Sequence, residues 1–224
     1  MALNSAQRRH IYTHTLALPP GISDGGRIGG QLAAGVFYEA DMLVHIHQRG
    51  IGGIYVDVGA NIGNHMMFFA TKTKAEHVFA VEPIPSAVAT CVEFARLNGL
   101  SNKISVIPFA AGAQRDTIDF TYQISTGRDR QGRAACVRLD DVIPGGVKLI
   151  KMDIEGAEPD ALRGATRILL QDRPLLYVEA HTEPKVELVM AVLRPLGYER
   201  TGKVFNHSPT HEIAPVEVLE SLAS

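Results

Sequence analysis

The sequence predicts an α/β fold in which a doubly wound, mostly parallel β-sheet carries helices on both faces. Three observations support this prediction. Short apolar segments typical of buried strands alternate with segments of helical periodicity, such as residues 64–73, 86–98 and 185–196. A buried strand at residues 54–58 enters a helix through a turn of small residues. The length of 224 residues, with 46% hydrophobic composition, suits one domain with a sizeable core.

The single predicted domain, residues 1–224, begins with an extension. Residues 1–34 are polar and then rich in glycine, with a Pro-Pro-Gly turn signal, and we expect a lid or a short hairpin there. Residues 35–224 form the predicted core. Its first helix is expected at residues 37–49, where apolar side chains recur at helical spacing and Gly50 supplies a stop signal.

The turn after the first strand, in the sequence VDVGANIGN, indicates that main-chain atoms lie close to a bound ligand. Gly59 and Gly63 carry no Cβ, so main-chain N–H groups at the helix N-terminus can lie against a bound molecule. Asp57 places a carboxylate beside that space. The glycine spacing departs from the G-x-G-x-x-G pattern of dinucleotide sites. The turn therefore favours a nucleoside without a phosphate.

The second predicted strand, residues 77–82, ends in Glu82, immediately before the break that begins at Pro83. In nucleotide-binding α/β folds, an acidic residue at this strand end accepts hydrogen bonds from the ribose hydroxyls. Asp57 and Glu82 are therefore predicted to bracket a nucleoside.

The segments DVGANIG and VEP together resemble the S-adenosylmethionine-dependent methyltransferases, and KMDIEGAE at residues 151–158 is similar to the FkbM-type family among them. The resemblance covers about residues 35–180. It implies a class I Rossmann-like fold, with a seven-stranded sheet and an antiparallel last strand. It also implies S-adenosylmethionine as the cofactor, O-methylation of a hydroxyl on a sugar or natural product, and a position for Tyr38 and Glu39 near the methionine end of the cofactor.

The predicted cofactor site adds small and polar residues to the two acidic strand ends. Ala110 and Ala111 follow a third strand, residues 104–109, in a turn of small residues that can admit a flat adenine ring; an ordinary tight loop is the alternative. The complete predicted set is Glu39, Asp57, Gly59, Asn61, Gly63, Asn64, Glu82, Pro83, Ala110, Ala111 and Asp153.

Three carboxylates follow the fourth parallel strand, residues 147–152. Asp153, Glu155 and Glu158 lie so close in sequence that like charges raise one another's pKa unless a cation or a proton is shared. The sulfonium of the cofactor, a substrate proton or a divalent metal would each meet this need. Alternatively, Glu158 sits at the positive end of the next helix. The sequence predicts no metal site; Asp153 with Glu179 would be the first candidates in a metal-dependent variant.

A fifth strand, residues 174–180, carries Glu179 and then His181 to the same edge of the sheet. A histidine in this position suits a general base, because its neutral form is available near pH 7. We therefore predict Asp153, Glu155 and His181 as the residues that orient or deprotonate the acceptor.

Two peripheral segments are further candidates for contacts with the acceptor. Residues 125–133 are predicted as a charged loop between short strands at 116–122 and 134–139, and its arginines either contact an acidic substrate or are simply solvated. The final pair of strands, within residues 198–214, is joined by a turn that either reaches the substrate or only closes the hairpin. The candidate residues are Arg128, Arg130, Arg133, Asn206, His207 and His211.

Composition limits the expected partners. The formal net charge is −2 and no dense Lys/Arg run is present, so we expect no nucleic-acid partner. The sequence contains no run of ~18 apolar residues, so it predicts no membrane span. The two cysteines favour reduced, buried thiols and a cytoplasmic protein. The expected partner is a small-molecule acceptor, and a homodimer stays open.

Two other classes of function also stay open. A nicotinamide-dependent oxidoreductase shares the strand–turn–helix arrangement and the acidic ribose contact, but the middle glycine of its fingerprint is missing here. A catalytically silent binding protein would retain the nucleoside pocket without the reaction.

Overall fold

The computed structural model describes residues 3–24, 26–123 and 129–223. The helices are α1 (Ser5–Tyr12), α2 (Gly26–Ala33), α3 (Ala40–Arg49), α4 (Asn64–Lys72), α5 (Pro85–Leu97), α6 (Leu139–Val142), α7 (Glu158–Arg163), α8 (Thr166–Gln171), α9 (Glu183–Leu193) and α10 (Val216–Ala223). The strands are β1 (Gly52–Val58), β2 (Lys74–Val81), β3 (Ile104–Ile107), β4 (Ala110–Ala111), β5 (Asp116–Gln123), β6 (Asp129–Val137), β7 (Val147–Met152), β8 (Leu175–Glu179), β9 (Tyr198–Phe205) and β10 (Thr210–Pro215).

Seven strands form the main sheet, in the order β3-β2-β1-β7-β8-β10-β9. The pairings from β3 to β8 are parallel, whereas β10 is antiparallel to both β8 and β9. This confirms the predicted α/β fold with a mostly parallel seven-stranded sheet and an antiparallel last strand. The strand order changes direction between β1 and β7, and ligands of such sheets bind at the carboxyl ends of the strands beside this switch point.

Helices cover both faces of this sheet because its central strands are apolar on both sides. One buried cluster joins Phe68 and Phe69 of α4 to Phe94 of α5. A second cluster, on the other face, includes Leu162 of α7 and Leu169 of α8. Burial on both sides is the usual environment of parallel strands, and it explains why their sequences read as continuous apolar runs.

Two N-terminal helices stand where a lid or short hairpin was expected. The Asn4 side chain accepts a hydrogen bond from the Gln7 N–H, and the Gln7 side chain accepts one from the Asn4 N–H, so a capping box begins α1. Ile11 and Leu32 are buried in the same cluster as the α4 side chains. The N-terminal segment therefore packs as part of the core.

The third helix starts later than predicted. Residues 37–49 were expected to be helical, but α3 begins at Ala40, because Glu39 adopts a left-handed backbone conformation with φ +62°. This conformation turns the chain into the helix and places Glu39 at its first turn.

A second, three-stranded sheet, in the order β4-β6-β5, replaces two predicted features. Residues 110 and 111 were expected in a turn, yet they form β4 and pair with β6. The charged loop expected at 125–133 is partly strand, since β6 begins at Asp129 and contains Arg130 and Arg133. Arg128 lies outside the described residues.

None of the described helices combines the length and the apolar character that a membrane span requires.

Adjacent glycines in α2 provide a test of the N-terminal helices. A Cβ on Gly29 would lie 1.9 Å from the Ile22 carbonyl oxygen, whereas a Cβ on Gly30 would meet no atom within 4 Å. Gly29→Ala should therefore lower the free energy of unfolding by about 1–3 kcal/mol, and Gly30→Ala should raise it by about 0.5–1 kcal/mol. Urea unfolding, with limited proteolysis of the N-terminal segment, measures both effects. Equal effects of the two substitutions would contradict this packing.

Candidate active site

A buried lysine organises the carboxyl edge of the sheet. Lys151 in β7 is the register neighbour of Asp57 in β1, and its side chain is 2% exposed. Its Nζ lies 3.8 Å from Asp57 Oδ1 and 3.4 Å from Asp153 Oδ2. Burial disfavours the charged amine, but the Asp153 and Asp57 carboxylates outweigh it and raise the Lys151 pKa above its ordinary value. The lysine is therefore charged and neutralises two strand-end carboxylates.

Sequence reasoning missed Lys151. The close carboxylates were expected to need the cofactor sulfonium, a substrate proton or a metal, whereas the structure supplies a cation from the preceding strand itself. The signal was present as a lysine inside the apolar segment VKLIKM, next to the predicted Asp153.

Asp57 is completely buried. Its Oδ2 accepts a hydrogen bond of 2.9 Å from the Met66 N–H, at the start of α4. Its Oδ1 has no hydrogen-bond partner among the described residues. Burial raises the Asp57 pKa, and the Lys151 charge works in the opposite direction. Asp57 therefore keeps an oxygen with free acceptor capacity that is enclosed by protein and lies beside the Lys151 ammonium.

Glu82 fixes the turn between β1 and α4. Its Oε2 accepts a 2.8 Å hydrogen bond from the Asn61 N–H, and its Oε1 accepts a 2.9 Å bond from the Ile84 N–H. Glu82 is 4% exposed, and burial raises its pKa. Each carboxylate oxygen can accept more than one hydrogen bond, so both retain capacity for a hydroxyl. Pro83 follows it, half-buried.

The two glycines of the turn are favoured by the protein's own geometry. A Cβ on Gly59 would lie 1.9 Å from the Asp153 carbonyl oxygen, so the chain after β7 approaches too closely for a side chain there. Gly63 has φ +90°, a left-handed conformation that favours glycine. The expectation that the missing side chains also make room for a ligand stays a prediction.

The predicted Tyr38–Glu39 pair is held against the start of α4. The Tyr38 N–H donates to Asn64 Oδ1 at 2.9 Å, and Asn64 Nδ2 donates back to the Tyr38 carbonyl oxygen at 3.2 Å. Glu39 Oε2 lies 2.9 Å from His65 Nε2, and both side chains are nearly buried. His65 was not identified from the sequence, because a histidine in an apolar helix carries no distinguishing pattern.

A second group of titratable residues follows β7 and β8. Asp153 and Glu179 share a hydrogen bond, and His181 Nε2 lies 3.0 Å from Glu179 Oε2. Burial and the neighbouring Asp153 raise the pKa of Glu179 to about 7. Asp153 is also affected by burial, but Lys151 and the Glu179 hydrogen bond hold its pKa below the ordinary value. Glu179 is therefore the member of this pair that takes up a proton first as the pH falls.

His181 remains accessible, with a side chain that is 42% exposed. Its hydrogen bond to Glu179 and the charge of that residue raise its pKa. Glu155, exposed and with φ +58°, lies close enough that one ligand atom from each of Glu155, Glu179 and His181 falls within 4.8 Å of the others. These three residues could hold a metal ion, rather than the pair Asp153 and Glu179 named from the sequence.

Glu158 has a structural role. Its Oε1 accepts hydrogen bonds from the Ile154 N–H at 2.9 Å and from the Gly156 N–H at 3.1 Å. It therefore closes the loop that presents Asp153 and Glu155.

The remaining predicted residues are distributed around this centre. Ala110 and Ala111 are buried in β4, and Arg133 pairs at 3.7 Å with Asp119 across the β5–β6 hairpin. Arg130 is exposed on β6. His211 is buried, with its Nε2 3.3 Å from the Ala180 carbonyl oxygen.

A cavity of about 580 Å³ adjoins Glu39. The N-terminal helices, the chain leading into α3 and the β9–β10 turn form its wall, which includes Arg8, Arg27, Gln31, Tyr38, Asn206 and His207. The structure thus brings two of the predicted turn residues, Asn206 and His207, into the same cavity as Glu39. The contribution of the N-terminal helices could not be foreseen, because those helices were not predicted.

The sheet order and the acidic strand ends define a Rossmann-like methyltransferase fold. Crystal structures with this fold include the following two. Methyltransferase FkbM from Methylobacillus flagellatus KT has a TM-score of 0.60 and 24% identity, covering 73% of this chain and 43% of that one. The ribosomal protein L11 methylase from Lactobacillus delbrueckii subsp. bulgaricus has a TM-score of 0.56 and 14% identity, covering 79% and 78%. At these identities the likeness concerns the fold alone.

The family follows from the sequence comparison. The model of the methyltransferase FkbM domain matches residues 57–200, which is more than half of the chain. The chain belongs to the FkbM methyltransferase family. It is also similar to the hexuronic acid methyltransferase AglP of Haloferax volcanii, with 30% identity over 146 residues, which are 58% of this chain and 57% of that protein. The chain therefore spans less than two thirds of the length of this curated relative.

The Asp57–Lys151 pair makes a specific prediction about stability. Lys151→Met leaves Asp57 buried without a counter-charge and should lower the free energy of unfolding by about 3–5 kcal/mol. Combining it with Asp57→Asn should recover part of the loss, since the uncompensated charge is then gone.

Urea unfolding followed by circular dichroism measures both variants. Lys148→Met, at an exposed position of the same strand, is the control and should change the free energy by less than about 0.5 kcal/mol. A double variant no more stable than Lys151→Met would show that the charge pair is not the cause.

Proposed function

We propose that this protein is an S-adenosylmethionine-dependent O-methyltransferase that acts on a hydroxyl of a small molecule, a sugar or another natural product. The observation that carries the proposal is the buried carboxylate of Glu82 at the tip of β2. Two backbone N–H groups hold it beside the β1–α4 turn, and its oxygens retain acceptor capacity for ribose hydroxyls. The FkbM family membership and the similarity to a hexuronic acid methyltransferase support a sugar acceptor.

The residues around the turn have the chemistry that the cofactor requires. The negative charges of Asp57 and Glu39 suit the cationic, methionine end of the molecule, together with Asn64. The turn Gly59, Asn61 and Gly63 borders the ribose. Pro83, Ala110 and Ala111 are assigned to the adenine. When bound, S-adenosylmethionine supplies an electrophilic methyl group.

The protein's own part in the reaction is to hold the acceptor and to accept its proton. In our proposal His181 takes the proton of the acceptor hydroxyl, because its ring is accessible and hydrogen-bonded to Glu179. Glu179 stabilises the resulting imidazolium. Asp153, kept ionised by Lys151, orients the hydroxyl, and Glu155 borders the same space. Correct alignment of the acceptor is the larger part of catalysis in such a displacement.

Calorimetric titration tests cofactor binding. Wild-type protein should bind S-adenosylmethionine and its demethylated product S-adenosylhomocysteine, and should not bind NAD. Glu82→Gln should weaken S-adenosylhomocysteine binding by roughly 10- to 100-fold, because a charged acceptor is lost from the ribose contact.

Glu76→Gln is the matched control, since Glu76 is exposed at the opposite end of β2. Binding of NAD in place of the methyl donor would overturn the proposal. Failure to methylate any member of a panel of hydroxylated small molecules, despite cofactor binding, would point to a silent binding protein. Methyl transfer to nitrogen, detected by NMR of the product, would refute O-methylation.

The His181–Glu179 pair predicts the pH dependence of turnover. A base must be unprotonated to act, so kcat/KM should rise with pH as His181 loses its proton, and the hydrogen bond and charge of Glu179 should place this rise above the ordinary histidine range. Glu179→Gln removes the charge that raises the His181 pKa, and the rising limb should therefore move to lower pH. His181→Ala should lower kcat by roughly 10²- to 10⁴-fold. Profiles of kcat/KM against pH test this assignment, and an unchanged limb in Glu179→Gln would contradict it.

A further inference from the structure

We propose that the cavity beside Glu39 binds the methyl acceptor through a carboxylate group, and that Arg27 is the main contact to this anion. This inference rests on the proposed methyl transfer and specifies the acceptor as an acidic molecule, such as a sugar acid.

The cavity has the size and position of an acceptor site. Its volume of about 580 Å³ lies within the range of small-molecule pockets. Glu39 is part of its wall, and the same side chain contacts His65 at 2.9 Å. The negative charge of Glu39 also helps to raise the pKa of Lys151. An occupant of the cavity would therefore lie next to the carboxyl edge of the sheet, where the methyl donor is proposed to bind.

The charges of the cavity wall leave one cation without a partner. The Glu39 carboxylate is engaged with His65, and Asp41 pairs at 2.5 Å with Arg8. Arg27, also in the wall, is exposed and makes no hydrogen bond or ion pair within the part of the chain that the structure describes. Arg27 is thus the charged side chain of this wall that is left to contact an occupant, and its guanidinium favours a negative group.

The donors of the wall match a carboxylate on a polar molecule. Arg27 and Gln31 are one helical turn apart on α2 and both border the cavity. A guanidinium group can bind a carboxylate through two parallel hydrogen bonds. Asn206 and His207 add polar groups from the β9–β10 turn, which suits a molecule with hydroxyls. Arg8 can join the contact, because its partner Asp41 has a side chain that is 84% exposed and is easily released to water.

Titration with a charged ligand and its neutral analogue tests the proposal. Glucuronate and glucuronamide differ in the negative charge and are each titrated into protein saturated with S-adenosylhomocysteine. Wild-type protein should bind glucuronate more tightly than the amide. Arg27→Gln should raise the Kd of glucuronate by roughly 10- to 100-fold and leave that of glucuronamide unchanged. Where glucuronate is methylated, KM should rise with little change in kcat.

Arg9→Gln is the matched control. Arg9 is an exposed arginine of α1 that is not part of the cavity wall, so both Kd values should equal those of the wild type. The Kd of S-adenosylhomocysteine is measured for every variant.

The outcomes separate this inference from the proposed function. Absence of S-adenosylhomocysteine binding to wild-type protein overturns both. Where S-adenosylhomocysteine binds normally, any of three results overturns the inference alone. Wild-type protein does not bind glucuronate, it binds glucuronate no more tightly than glucuronamide, or the Arg27→Gln variant binds glucuronate as tightly as the wild type does. Loss of S-adenosylhomocysteine affinity in Arg27→Gln would assign the arginine to the carboxylate of the cofactor, and it too would overturn the inference.

Discussion

The buried charge of Lys151 is the interaction on which the rest of the site depends. Asp57 and Asp153 stand at the ends of adjacent strands, and the completely buried carboxylate of Asp57 could not lie so close to that of Asp153 without a cation between them. Because Lys151 belongs to β7 and Asp57 to β1, the ion pair also joins the two strands at the switch point of the sheet. The same contact helps to lower the pKa of Asp153, whereas burial and the neighbouring Asp153 raise that of Glu179.

Most of the central sheet was predictable from the sequence, because parallel strands buried on both faces appear as short apolar runs between turn signals. The placement of Asp57, Glu82, Asp153 and Glu179 at one edge followed from topology. What failed was the explanation of the close carboxylates. A pattern of apolar residues identifies a strand, but it does not show that a lysine within the strand turns inward, because that depends on the charges of the neighbouring strands.

The helix α2 was not predictable for a different reason. The α2 sequence GRIGGQLA contains three glycines, which disfavour helix formation, and its helical state depends on packing against Ile22. Glu39 was expected inside a helix, but its left-handed backbone conformation places it at the boundary. The cavity therefore could not be deduced, since its wall combines these N-terminal elements with a turn far away in the chain.

The wall of that cavity lies outside the part of the chain that identifies the family. All of its residues fall within positions 5–41 and 206–207, whereas the family match spans residues 57–200. The segment matched by the family model and the proposed acceptor surface thus lie in separate parts of the sequence. On our proposal, substitutions in the acceptor surface would leave the strands of the family domain unchanged, so membership of the family identifies the scaffold and does not by itself identify the acceptor.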